Sequence, residues 1–114
     1  MRHVLVVAAV AEIATGLALV LAPALVGQVL LGADLSGLAA TVARVAGLAL
    51  VGLGVACWPG PPLLGMLIYS AAVTLVLAWF GIAGGSSGIL LWPAVALHAI
   101  LTVLLGRALA AARR

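Results

Sequence analysis

The sequence predicts an all-α integral membrane protein, an antiparallel four-helix bundle forming a single domain over residues 1–114 with both termini cytoplasmic. Three observations carry this. The composition is 68% apolar and only 6% charged, with a mean hydropathy of +1.47. Four apolar runs, about Val4–Pro23, Leu38–Trp58, Leu63–Ile82 and Ile89–Ala108, reach the roughly 20 residues that a spanning helix needs. Arg2, Arg107, Arg113 and Arg114 sit at the two chain ends, while the short connections hold no lysine or arginine. Backbone polar groups in lipid must be satisfied within their own segment, so these runs read as helices. Basic residues mark the cytoplasmic side, and an even number of spans returns both ends to it.

Each span has its own boundaries. The first ends or bends at Pro23, and the following Ala24–Leu31 stretch, carrying Gln28, is too short to cross. Residues 32–37 make a turn, with Asp34 or Ser36 placed to cap the second helix. Trp58, Pro59, Gly60, Pro61 and Pro62 stop that helix and predict the cytoplasmic hairpin. Gly84, Gly85, Ser86, Ser87 and Gly88 form the outer loop before the fourth helix, whose first turn holds Pro93. Trp58 marks the inner interface, and Trp79, Phe80 and Trp92 the outer one. Gly47, Gly52 and Gly54, and Ser70, Ala71, Ala72, Thr74 and Ala78, predict close packing faces on the second and third helices.

Composition also excludes classes. The sequence pI near 10.6 comes from arginines serving topology, so no nucleic-acid partner is expected. Glu12 in the middle of the first run argues against a cleaved signal sequence. One cysteine, Cys57, makes neither an internal disulfide nor a metal site by itself and reads as a small buried filler. No metal or other cofactor is expected. Nothing resembles a nucleophile motif, paired histidines or a phosphate-cradling loop, so an enzyme is disfavoured. Acid–base chemistry on a lipid or quinone would require Glu12 and His98 in one cavity.

Glu12, Arg44 and His98 each interrupt an apolar run, and an ionisable residue at the centre of a span costs about 2.5–3.5 kcal/mol on insertion scales. Helical rise places Glu12 about 12 Å from the inner face, Arg44 about 9 Å from the outer face, and His98 between them. The three are therefore expected to approach one another near the midplane, with Tyr69 and Thr102 beside them. Two readings stay open for this cluster. One is a structural Glu12–Arg44 ion pair, with His98 bonded to Thr102 or a backbone carbonyl. The other is a proton or ligand site, with Glu12 as proton carrier or cation ligand, Arg44 as counter-ion and His98 as proton partner.

Two resemblances follow from these residues. Glu12, Pro23, the turn through Gly37 and the stretch Ala43-Arg44-Val45-Ala46-Gly47 resemble the DoxX-like group of small bacterial four-helix membrane proteins. That resemblance implies the fold and no activity. Ala11-Glu12 followed by Thr15-Gly16 resembles the first helix of the small multidrug resistance transporters, which implies Glu12 as a proton and cation site. Tyr69-Ser70-Ala71 stands where that family carries tryptophan, serine and glycine. The reading as a whole is a small structural or accessory module of a bacterial inner membrane. Its polar cluster holds a lipid-like ligand, and its partners are the bilayer and a second copy or another membrane protein. The alternative is a proton-coupled transporter using Glu12.

Overall fold

A computed structural model describes residues 2–84 and 88–113. It is helical, with no strand among the described residues. The elements are α1 (Arg2–Leu21), α2 (Pro23–Val26) continued by a π-helical turn over Gly27–Leu31, α3 (Leu38–Cys57), α4 (Pro62–Ala83) and α5 (Leu91–Ala112). Four of these helices, α1, α3, α4 and α5, are long and apolar enough to cross a membrane. They begin and end within about four residues of the expected spans, close to the ordinary uncertainty in helix ends. Residues 85–87 of the expected outer loop lie outside the described residues.

The boundaries have local causes. Pro23 has no N–H to continue α1, and Ala22 leaves the helical region with φ −143° and ψ 62°. The short α2 then widens into the π turn, which Gly32 closes in the left-handed conformation, φ 80°, with its N–H on the Gly27 carbonyl. Gly37, also at positive φ, precedes α3; no side chain caps that helix, so neither Asp34 nor Ser36 fills the expected role. Prolines open both α2 and α4, where the missing N–H leaves no intrahelical bond unmade.

The helices pack serially, α1 on α3, α3 on α4 and α4 on α5, with no contact between α1 and α5 among the described residues. Paired positions run in opposite sequence order along each interface. Ala9 and Ile13 meet Gly54 while Gly16 meets Gly47, Gly65 meets Gly52 and Ala56, and Gly81 meets Trp92 while Tyr69 meets His98. The chain termini, the α3 C-terminus and the α4 N-terminus therefore share one end, and the turn between α1 and α3 lies at the other, called distal below. The molecule measures 44 × 33 × 16 Å. A closed square of four helices would be nearly equal in its two lateral dimensions, whereas these four form an open layer. The physical reason is that each helix is apolar nearly all round. No polar face has to be turned outward, and lipid solvates either broad face as well as protein does.

Cohesion comes from glycines on two sides of α3. A Cβ on Gly47 would stand 2.5 Å from the Gly16 carbonyl oxygen and 2.9 Å from the Leu19 Cβ. A Cβ on Gly52 would stand 2.9 Å from the Gly65 carbonyl oxygen and 3.0 Å from the Tyr69 Cβ. Five residues separate Gly47 from Gly52, which turns them about 140° apart on the helix, so each serves a different neighbour. Little else is fully buried: Ala9, Pro23, Ala43 and Val73 are the buried apolar side chains among the described residues, and α5 contributes none. Cys57 is exposed rather than buried, because it falls between the Gly54 stripe that meets α1 and the Gly52–Ala56 stripe that meets α4, on a broad face of the layer.

Replacing Gly47 with isoleucine is expected to destabilise the protein by about 1–3 kcal/mol through overpacking against α1. Gly106 is the control, because a methyl group placed there would meet nothing within 4 Å. Gly106→Ala should be neutral or stabilising by about 0.5–1 kcal/mol, from helix propensity alone. Thermal unfolding of both variants in detergent, followed by circular dichroism, checks the contrast.

Candidate functional site

The polar residues of the four spans separate into three places. Arg44, on the second turn of α3, donates from Nε to the Val20 carbonyl at 3.2 Å. Val20 is among the last residues of α1, whose terminal carbonyls have no N–H ahead of them once the helix breaks before Pro23. The arginine thus serves a backbone acceptor that the proline break exposes. In the Gly16–Gly47 register Val20 is about level with Arg44, so the head stays at that height, on the distal side of the midplane.

Glu12 forms no ion pair among the described residues, and its side chain makes no hydrogen bond there. The register explains why. Gly16 lies opposite Gly47, so Glu12 sits four residues toward the terminal end and Arg44 three toward the distal end, a separation of about 10 Å along the axis. Rotation adds to it. Glu12 lies about 50° off the α1 stripe that meets α3, and Arg44 lies about 50° off the α3 stripe that meets α1. The senses of these offsets place the two groups on opposite broad faces of the layer. The expected meeting of Glu12 and Arg44 is not formed.

His98 belongs to a third place, two helices away from Glu12. Its Nδ1 lies 2.9 Å from the Ala94 carbonyl oxygen, and since a carbonyl only accepts, Nδ1 carries the proton in that bond. Thr102 donates to the His98 carbonyl at 2.6 Å, so Ala94, His98 and Thr102 form a run of local bonds along α5. The Tyr69 ring of α4 meets the imidazole edge-on, with centroids 6.1 Å apart and planes at 73°. Of the five residues singled out in the sequence, the structure therefore brings together Tyr69, His98 and Thr102. Beside them on α4, Thr74 donates to the Ser70 carbonyl at 2.7 Å, while the Ser70 hydroxyl, 1% exposed, has no partner among the described residues. Among the described residues no group of histidine, cysteine, aspartate or glutamate is placed to hold a metal ion.

Arg44 also lines a groove of about 540 Å³ between the distal halves of α3 and α4, together with Thr41, Leu75, Val76, Trp79 and Phe80. A second, smaller recess of about 250 Å³ lies between the other halves of the same helices and is apolar apart from Tyr69. Sequence reasoning missed the first groove because it assigned Trp79 and Phe80 to depth anchoring and Arg44 to a partner on α1. The usable signal was the common distance of Thr41, Arg44, Trp79 and Phe80 from the distal helix ends. The chain matches no protein family, no curated protein and no solved structure.

Because Glu12 and Arg44 share no contact, their neutralisations should add: in a thermal-unfolding cycle, Glu12→Gln and Arg44→Gln together equal the sum of the singles within about 0.5 kcal/mol. Arg44→Gln alone should lose about 1 kcal/mol with its interhelical bond. A coupling above about 1 kcal/mol would show that the two charges do meet.

Proposed function

We propose that this protein is a small accessory module of a bacterial-type inner membrane, with both termini cytoplasmic, that works by lateral association and by holding lipid. The observation that carries this reading is the open layer. Four apolar helices leave both broad faces uncovered, and among the described residues α5 closes onto nothing but α4. Leu75, Trp79, Ile82, Val103 and Leu104 are all well exposed. In lipid such faces associate by close packing rather than by expulsion of water, which suits a module that docks reversibly on its own kind or on a larger membrane protein.

Association is tested by cross-linking in native membranes and by native mass spectrometry from mild detergent. Dimers, higher oligomers or one stoichiometric membrane-protein partner are expected; a strictly monomeric chain with no companion in either assay removes the reading. Cys57, the single cysteine and exposed at the terminal end, reports topology. A membrane-impermeant maleimide should label it only after permeabilisation, whereas Ser36→Cys in a Cys57→Ser background should label in intact cells.

A second reading is favoured by one observation, the carboxylate of Glu12 within a span, unpaired among the described residues. Free of Arg44, it is available to a proton or an organic cation, as the resemblance to small multidrug resistance transporters implies. Cells expressing the protein should then tolerate lipophilic cations better than cells expressing Glu12→Gln. Equal sensitivity of the two strains and of a vector control eliminates that role.

A further inference from the structure

We infer that the groove between the distal halves of α3 and α4 is a binding site for one anionic phospholipid, its phosphate on Arg44 and an acyl chain along Leu75 and Val76. The inference deepens the accessory reading, on whose membrane setting it rests, by naming the lipid class and the residues that select it.

Charge is the first argument. The chain has two acidic side chains, Glu12 and Asp34, and neither forms an ion pair with Arg44 among the described residues. The arginine is a cation within an apolar helix and has no counter-charge among the described residues. Its bond to the Val20 carbonyl uses Nε and holds the guanidinium plane in place. The remaining N–H donors, about four, have no partner among the described residues and suit a planar, bidentate acceptor such as a phosphate. A zwitterionic lipid brings its own ammonium and needs no such partner, whereas a net anion gains the full attraction of a cation in low dielectric.

Depth is the second. Arg44 lies six residues into α3, about 9 Å from its distal end, and reaches toward Val20 near the end of α1. By the Gly16–Gly47 register Val20 is about level with Arg44, so the head stays in the distal part of the span, on the headgroup side of the midplane. Thr41, one turn nearer the distal end, adds a hydroxyl to the same rim.

Shape is the third. The groove runs along the distal halves of α3 and α4 as far as Ala83 and Gly84. Trp79, 72% exposed, and Phe80 stand at its rim, as amphipathic rings do at an interface. Leu75 and Val76, about one turn deeper along α4 and about level with Arg44, form its apolar wall. A cation beside an apolar wall complements an anionic lipid, whose acyl chain covers the wall that a soluble anion would leave bare.

The test is native mass spectrometry of the delipidated protein offered an equimolar mixture of phosphatidylglycerol and phosphatidylcholine with identical acyl chains. One arginine is expected to give the wild type about a fivefold preference for the anionic lipid, which is about 1 kcal/mol. Arg44→Gln should abolish the preference, and Arg44→Lys should retain part of it. Leu75→Trp, which fills the apolar end, should lower retention of both lipids with the preference intact. Should Arg44→Gln fail to fold, Arg44→Lys and Leu75→Trp decide the matter. Equal retention of the two lipids by the wild type, or an unchanged preference in Arg44→Gln, overturns the site. Displacement of the lipid by inorganic phosphate would instead assign a simple anion site and likewise overturn it. Oligomeric state is read in the same spectra. A monomer that keeps its anionic lipid refutes association alone, and an oligomer without lipid preference refutes the lipid site alone.

Discussion

Everything in this layer depends on how closely α3 can approach its two neighbours. Inside a bilayer the hydrophobic effect does not drive helix against helix, so packing and interhelical hydrogen bonds must do so. Gly47 against Gly16 and Gly52 against Gly65 bring backbone to backbone on two sides of one helix, closer than any side chain permits. Two such contacts make α3 the keel, with α1 on one side and α4 on the other. The α4–α5 contact is of another kind, with Gly81 receiving the Trp92 ring and Tyr69 meeting His98 edge-on. Small residues thus fasten one half of the layer and aromatic rings the other.

The same economy governs polarity. Pro23 stops α1 before its last carbonyls find partners, and the break is at first sight a defect deep in an apolar chain. Arg44 turns it into an anchor, because its Nε reaches across to Val20. One arginine then links α3 to α1 beyond the Gly16–Gly47 contact. An N–H at position 23 would serve the Leu19 carbonyl, four residues back, so the Val20 carbonyl would lose its need of Arg44 only if the helix ran on through Ala24.

What was legible in the sequence follows from which forces leave a local mark. Spans are set by length and apolarity, and proline and glycine punctuate them, so the ends at Leu21, Cys57 and Pro62 could be anticipated to within a few residues. The local bonds of His98 and Thr102 were legible too, since they depend on four-residue spacing within one helix. Packing between helices was not. A helix that is apolar all round carries no stripe to say which face meets a neighbour, and Gly65, the partner of Gly52, attracted no notice among larger residues. The approach of Glu12 to Arg44 was inferred from depth alone. Depth gave a gap of about 9 Å that an extended arginine was expected to bridge downward, whereas the Val20 carbonyl holds it at its own height.

That reversal changes what the two intramembrane charges mean. A paired glutamate and arginine satisfy each other, and such a pair explains itself by structure. Separated onto opposite faces, they pose different questions. Arg44 has a backbone acceptor that orients it and a groove that continues it, so its unmet need is for an anion, and lipid supplies anions at that depth. Glu12 has neither, being half-buried on α1 with apolar surroundings. An ionised carboxylate there needs a cation, a proton or water brought by something outside the chain. The layer is open on the face that carries it, and a second protein packing there would decide which of these arrives. The chemistry of Glu12 is thus tied to association in a way that the chemistry of Arg44 is not.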